Sequence, residues 1–206
     1  MLKNYLTVAF RNLLRYKGYS FLNIAGLATG MACSMLILLW VRDELSYDRF
    51  HPNVDRLYRI VVHASGLDAS ICSAPMPPAM AAQMPEVAGM VRLQKASHLF
   101  SVGDRSFTEE NIYYADSSLL QLFEFPLVKG NPKTALSGPG GLLLTEDAAR
   151  KYFGNEDPIG KTLLMERKTS FTVTGVLRNI PRNSHLQFDF LMPMAYLAQH
   201  NDDLKN

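Results

Sequence analysis

Residues Phe21 to Val41, FLNIAGLATGMACSMLILLWV, run for 21 positions without a charged side chain. As a helix rising 1.5 Å per residue, such a stretch spans roughly 31 Å, about the hydrocarbon thickness of a bilayer. A core helix of a soluble domain keeps a polar face, and this stretch has none, so residues 19–41 read as a transmembrane helix. A cleaved signal peptide has an apolar region of about 7–15 residues and a small-x-small site after it. Here the run is longer, and Val41-Arg42-Asp43-Glu44 follows where a cleavage site should be. A lipoprotein site at Cys33 conflicts with the uncharged run continuing to Val41.

The flanks orient the helix. Lys3, Arg11, Arg15 and Lys17 precede it with no acidic residue, against 17 basic and 19 acidic residues after position 20. Basic residues are retained on the cytoplasmic side, so the N-terminus is expected inside and residues 42–206 outside. Tyr16, Tyr19 and Trp40 suit the two headgroup regions. In residues 1–18, Leu2, Leu6, Ala9, Phe10, Leu13 and Leu14 share one helical face, with Lys3, Asn4, Arg11, Asn12 and Arg15 elsewhere. That pattern predicts an amphipathic helix lying in the inner interface of the bilayer, with a plain retention flank as the alternative. Gly18 is the expected turning point from lying flat to crossing.

Within the span, Gly26, Gly30 and Ser34 recur every four residues, a spacing that lets a second helix approach closely. Beyond it, Arg42-Asp43-Glu44-Leu45-Ser46-Tyr47-Asp48-Arg49-Phe50 keeps helical spacing up to Pro52. Residues 42–52 are therefore expected to continue the helix as a stalk, with Arg42, Glu44, Leu45, Asp48 and Phe50 as its coupling residues. Residues 53–206 suffice for a domain with its own core. The two cysteines, Cys33 in the span and Cys72 outside it, cannot pair, so that domain is expected to fold without an internal disulfide. A net charge of +2 gives no ground for a nucleic-acid partner.

Along the outer part, strands are expected at 57–63, 89–96, 98–102, 105–108, 112–115, 142–144, 161–166 and 171–177, with 185–192 closing the sheet. Residues 66–76 read as a loop, Gly103-Asp104 as a hairpin turn, and 130–132, 137–141 and 167–170 as turns. Short helices are expected from Pro77 through Met84, over 119–123 behind Asp116-Ser117-Ser118, and over 146–153 between an N-cap at Thr145 and Gly154. Mixed strands and short helices make the domain α+β.

Candidate chemistry is thin. Met76, Met80 and Met84 form a row that is read as core packing ahead of a copper(I) site, since no His or Cys joins it. Gly154-Asn-Glu-Asp-Pro-Ile-Gly160-Lys161-Thr162 has five residues between its glycines where a phosphate loop has four. It also follows a helix and precedes a strand, the reverse of that loop, so it reads as a turn. His51, His63, His98, His185 and His200 form no paired metal motif, and Ser70, Ser73 and Ser184 lack a nucleophile elbow. Glu109-Glu110 and Glu156-Asp157 read as solvated turn carboxylates. No catalytic, cofactor or metal site is assigned, and the chain is not read as an enzyme.

Four long stretches carry a resemblance: AFRNLLRYKGYSFLNIAGLATGMACSMLILLWVRDELSYDRFHPNVDRLYRI, YADSSLLQLFEFPLVKGNPKTAL, TEDAARKYFGNEDPIGKTL and FTVTGVLRNIPRNSHLQFDFLMP. In order from about residue 3 to 195, the chain resembles the N-terminal part of FtsX/MacB-type ABC transporter permeases. Gly140-Gly141 stand where a β-branched pair is usual in that family. The resemblance implies one transmembrane helix followed by a mixed α+β MacB-like periplasmic core domain over 53–206, incomplete here, in the bacterial inner membrane. It also implies a separate cytoplasmic ATPase that binds the ATP, a homo- or heterodimer of permeases, and export or extraction of a drug, peptide or lipoprotein by mechanotransmission. On that reading Asn206 falls inside or near the end of the outer domain and later helices are missing. The competing reading is a single-span sensor with an extracytoplasmic ligand domain.

Overall fold

A computed structural model describes residues 2–64, 66–69, 73, 75–123 and 125–200. The chain divides into two compact units, Met1–Tyr47 and Asp48–Asn206. Cys72 and Ser70 lie outside the described residues.

The first unit is two helices. Helix α1, Leu2–Arg15, is amphipathic and ends in Arg15. Helix α2, Lys17–Glu44, is apolar all round, buries none of its residues within the chain, and is long and apolar enough to cross a membrane. The break between them falls at Tyr16 (φ −112°, ψ 56°), not at Gly18, which is inside α2. The helix is also shorter at its far end than its charge pattern predicts. It stops at Glu44; residues 45–50 are turns, and Asp48 sits in the left-handed region at φ 55°. A left-handed residue cannot continue a right-handed helix, so the expected helical stalk from Arg42 to Phe50 is corrected here.

The second unit opens with a 3-10 turn, Val54–Arg56, and a small hairpin, β1 (Val62–Ala64) with β2 (Leu67–Ala69), paired antiparallel. The strand expected over 57–63 is thus reduced to its end, and the loop expected over 66–76 contains β2. Helix α3, Met76–Gln83, follows with prolines in its first turn. Four expected short strands are two long ones: β3 (Leu93–Val102) and β4 (Arg105–Ala115) form one hairpin around Gly103, with a bulge between Ala96 and His98. Polar Lys95, Ser97, Glu109 and Glu110 interrupt the apolar alternation, which is why the pieces look separate in sequence. Then come α4 (Leu119–Leu122), β5 (Leu127–Gly130), β6 (Gly141–Thr145), α5 (Glu146–Phe153), β7 (Thr162–Met165), β8 (Thr169–Leu177), β9 (Phe190–Pro193) and α6 (Met194–His200). Neither β5 nor α6 was legible in the pattern, and β9 begins five residues later than His185.

Among the described residues seven strands join in the order β5-β8-β6-β9-β4-β3-β7, and β7 also pairs with the start of β8. Six strands therefore close on themselves, while β5 pairs with the second half of β8, at Leu127↔Leu177 and Gly130↔Gly175. Closure removes edges that would otherwise present unpaired backbone groups. Strands β9 and β6 are neighbours in that ring, β9 running parallel to β4 and antiparallel to β6.

Side chains alternate across the sheet into two cores. Ile112, Tyr114, Leu142, Leu144, Phe190 and Met192 face one core, closed by Tyr152 and Phe153 of α5 and Met194 of α6. Ala115, Leu143 and Leu191 face the other, closed by Leu119, Phe125, Leu136 and Phe188. Phe100 stacks on Phe190 with ring centroids 4.9 Å apart. Helix α5 is fixed as its sequence predicts: Thr145 Oγ1 accepts from Ala148 N at 3.3 Å, Glu146 and Asp147 occupy the first turn, and Gly154 takes φ 63° after the last. Gly141 has a packing reason, since a Cβ there would lie 2.9 Å from the Ala135 carbonyl oxygen. At Gly130, with φ 100°, a Cβ would lie 2.5 Å from the Thr174 carbonyl oxygen.

Candidate functional site

The residues singled out in α1 and α2 lie on two bare helices. Arg11, Arg15 and Lys17 are exposed, with the Arg15 guanidinium 5.9 Å from the Tyr16 ring centroid; Lys3 lies in α1. Gly26, Gly30 and Ser34 line one shallow groove of α2, flanked by Leu22, Leu27 and Met31. Ser34 Oγ donates to the Gly30 carbonyl at 2.9 Å, so its hydroxyl is satisfied within the helix. A Cβ at Gly26 or Gly30 would meet nothing within 4 Å, so the chain's own packing gives no reason for glycine there. Arg42 and Glu44 are in the last turn of α2, and Leu45 is its exposed C-cap.

Asp48 and Phe50, expected beside them on one helix, belong instead to the second unit. Asp48 N donates to the Asn183 carbonyl at 2.9 Å. Its Oδ1 accepts from Ser184 Oγ and His185 N, both at 3.1 Å, and its Oδ2 accepts from His185 Nδ1 at 2.7 Å. Burial raises the Asp48 pKa, but the hydrogen bonds from His185 and Ser184 and the attraction of His185 outweigh it, leaving the carboxyl below its ordinary value. Asp, Ser and His meet here, yet the hydroxyl donates to the carboxylate and accepts from Leu186 N at 3.2 Å. A nucleophilic triad needs that hydroxyl on the imidazole, with the carboxylate behind the ring. The arrangement is a polar clasp.

His51, two residues past Arg49, is buried and donates from Nδ1 to the Phe123 carbonyl. Phe50, Phe123 and Phe125 surround its ring at centroid distances of 4.0, 5.3 and 5.0 Å. Residues 48–51 are thereby docked on two segments far away in sequence. Nothing local marks Phe123, Ser184 or His185 as their partners, because the pairing spans 72 to 137 residues.

Three other polar groups differ from or refine the expectations. Glu109 is buried, not solvated: its Oε1 accepts from Tyr152 OH at 2.5 Å and Lys151 Nζ at 2.7 Å. Burial, then the hydrogen bond to Glu109 and its charge, pushes the Tyr152 phenol well above its ordinary pKa. Arg105 adds a bond to the Tyr152 carbonyl at 2.6 Å, so β4 holds the last turn of α5 at two positions. Arg92 forks onto Asp116 with Nε at 2.9 Å and Nη2 at 2.8 Å, taking that carboxylate away from the expected helix cap. The 154–162 segment is a turn from α5 into β7, with Lys161 paired to Glu156 and Asp157 to Lys129. The methionine row is not core: Met76 and Met80 are half-buried and Met84 is exposed, because α3 buries Pro77 instead.

The MacB-like periplasmic core domain family matches residues 20–205. No curated protein matches. Among solved structures, a domain of a permease protein from Porphyromonas gingivalis is similar at 25% identity and TM-score 0.58, over 68% of this chain and 59% of that one. The periplasmic region of MacB from Actinobacillus actinomycetemcomitans is similar at 23% identity and TM-score 0.43, over 54% of this chain and 50% of that one. The extracellular domain of the noncanonic ABC-type transporter YknZ from Gram-positive bacteria aligns at 19% identity and TM-score 0.43, over 53% and 56% of the two chains.

Proposed function

The chain belongs to the MacB-like periplasmic core domain family, and from that membership we propose that it acts as a permease subunit of an ABC transporter of the FtsX/MacB mechanotransmission type. A separate cytoplasmic ATPase binds and hydrolyses ATP, and the membrane helices pass its motion to the outer domain. The outcome is export or extraction of a drug, a peptide or a lipoprotein. The observation that carries the reading is the family match over residues 20–205, together with one helix fit to cross a membrane at its N-terminal side.

On this reading residues 1–18 lie in the inner interface, with Lys3, Arg11, Arg15 and Lys17 toward anionic headgroups. Residues 19–41 cross the inner membrane, 42–52 link, and 53–206 form the periplasmic part. Gly26, Gly30 and Ser34 face a neighbouring helix of the permease or of a second permease copy, which explains glycines that intrachain packing does not need.

Topology and assembly test this. Alkaline phosphatase fused after Ser65 is expected to be active and after Lys17 inactive; the reverse pair overturns the orientation. In membranes carrying the full-length permease, Gly30→Ile is expected to reduce co-purification of the ATPase-bound assembly, whereas Leu39→Ile, on the face of α2 opposite the groove, leaves it unchanged. Equal behaviour of the two places Gly30 against lipid.

A further inference from the structure

The chain's covalent and hydrogen-bonded routes from the membrane helix to the outer sheet differ greatly. Among the described residues, the backbone after Asp48 first joins the seven-stranded sheet at β3, after the β1–β2 hairpin, whose strands there pair with each other, and after α3. The hydrogen-bonded route is short. Asp48 holds Ser184 and His185, and five residues after His185 the chain enters β9, whose four residues are all buried and which lies between β6 and β4.

The turn that Asp48 grips is itself braced. Gln187 Nε2 donates to the Pro181 carbonyl at 2.7 Å and to the Ser184 carbonyl at 2.9 Å, and Ser184 is buried. Phe188, next along, is buried in the second core against Phe125, which also packs on His51 and Phe50. Bonds to an ionised carboxylate are the stronger kind of hydrogen bond. The Asp48 backbone adopts φ 55° to make them, a conformation that Asp tolerates better than most residues.

We infer that Asp48 is the positioning residue through which displacement of the first helix loads the outer sheet, its carboxylate clasping the 183–185 turn ahead of β9. The inference rests on the transporter reading above and sharpens it: the coupling element is a side-chain clasp where the sequence pattern had placed a stiff helix. A glycine at position 48 keeps the left-handed backbone and removes only the carboxylate. An asparagine keeps the shape and the oxygen that Ser184 and the His185 amide reach, but loses the charge.

The test is hydrogen–deuterium exchange on the full-length permease with its ATPase in lipid nanodiscs, with and without ATP and vanadate, alongside ATP hydrolysis. In the wild type an ATP-dependent change in exchange is expected over residues 183–193. Asp48→Gly is expected to shrink that change at least fivefold while ATP hydrolysis stays within twofold, and Asp48→Asn to fall between. An undiminished change in Asp48→Gly overturns the inference. If Asp48→Gly loses the protection of β4 and β6, and so fails to fold, His185→Ala serves instead, because that side chain is mostly exposed. It removes the 2.7 Å bond and is expected to reduce the change at least twofold; no reduction overturns the inference. If the wild type neither hydrolyses ATP with its partner nor responds to it, the transporter reading fails. The clasp is then judged by basal exchange over 46–51 and 183–187, expected to rise about tenfold in Asp48→Gly, as loss of a charge-assisted bond implies. No rise rejects the clasp too.

Discussion

Helix α2 and strand β6 are both runs of apolar residues, and the protein treats them in opposite ways. All five residues of β6, Gly141–Thr145, are buried. None of the 28 residues of α2 is. Leu36 and Leu38 are each 67% exposed, whereas Leu142, Leu143 and Leu144 have no exposed surface. The strand alternates its side chains into two cores, so a short apolar run satisfies both faces of a sheet. The helix displays apolar side chains around its whole circumference, and no face is left for water. The second unit supplies its own apolar environment; the helix of the first unit has the length and composition to find one in a membrane.

Substitutions can widen or erase that contrast. The largest effect is expected from a buried charge: Leu144→Asp should abolish cooperative unfolding of the outer unit, because an unpaired carboxylate in that core costs more than most domains' stability margin. Leu38→Asp should leave unfolding of the outer unit unchanged and impair membrane insertion by about 3 kcal/mol, measured by a glycosylation-site or protease-protection assay. If Leu38→Asp unfolds the outer unit, the two environments are not independent.

Next in size, Phe190→Ala removes the ring stacked on Phe100 and should cost about 3–5 kcal/mol in denaturant unfolding. A loss under about 1 kcal/mol would mean that the closed sheet repacks freely. Thr145→Ala leaves Ala148 N without its cap and should cost about 1 kcal/mol. Thr145→Ser should recover most of it.

The smallest effect separates the polar clasp from both apolar regions. The folded Asp48 carboxyl titrates below its ordinary value, so its contribution to stability is fully present above the unfolded carboxylate range, about pH 3.9. It fades as the pH falls through the lower, folded value. Asp48→Asn should therefore reduce stability at pH 7 and narrow its difference from the wild type toward pH 3. A difference independent of pH would mean that the carboxylate's charge contributes nothing.

Several elements were readable because their signals are local. The uncharged run of α2 declares itself by length, α5 by Thr145 and Gly154 at its two ends, and the β3–β4 turn by Gly103-Asp104. Others depend on partners far along the chain. The four residues of β5 are too short to stand out and are a strand because the second half of β8 lies beside them. Glu109 resembles a solvated carboxylate beside Glu110, until α5 brings Lys151 and Tyr152 to it.

The same division runs through the candidate site. By itself the sequence determined that the chain has an apolar helix of membrane length flanked by basic residues, and that an α+β domain follows, since hydrophobic period and capping chemistry act within a few residues. It also carried the motifs of the family. Only the tertiary structure decided where α2 ends. The spacing of Arg42 to Phe50 is helical, but helix propensity there amounts to tenths of a kcal/mol per residue. Three side-chain acceptor bonds at Asp48 and the burial of His51 among Phe50, Phe123 and Phe125 outweigh it. Those partners lie 72 to 137 residues away, and a contact over that distance leaves no periodicity in the sequence to be read.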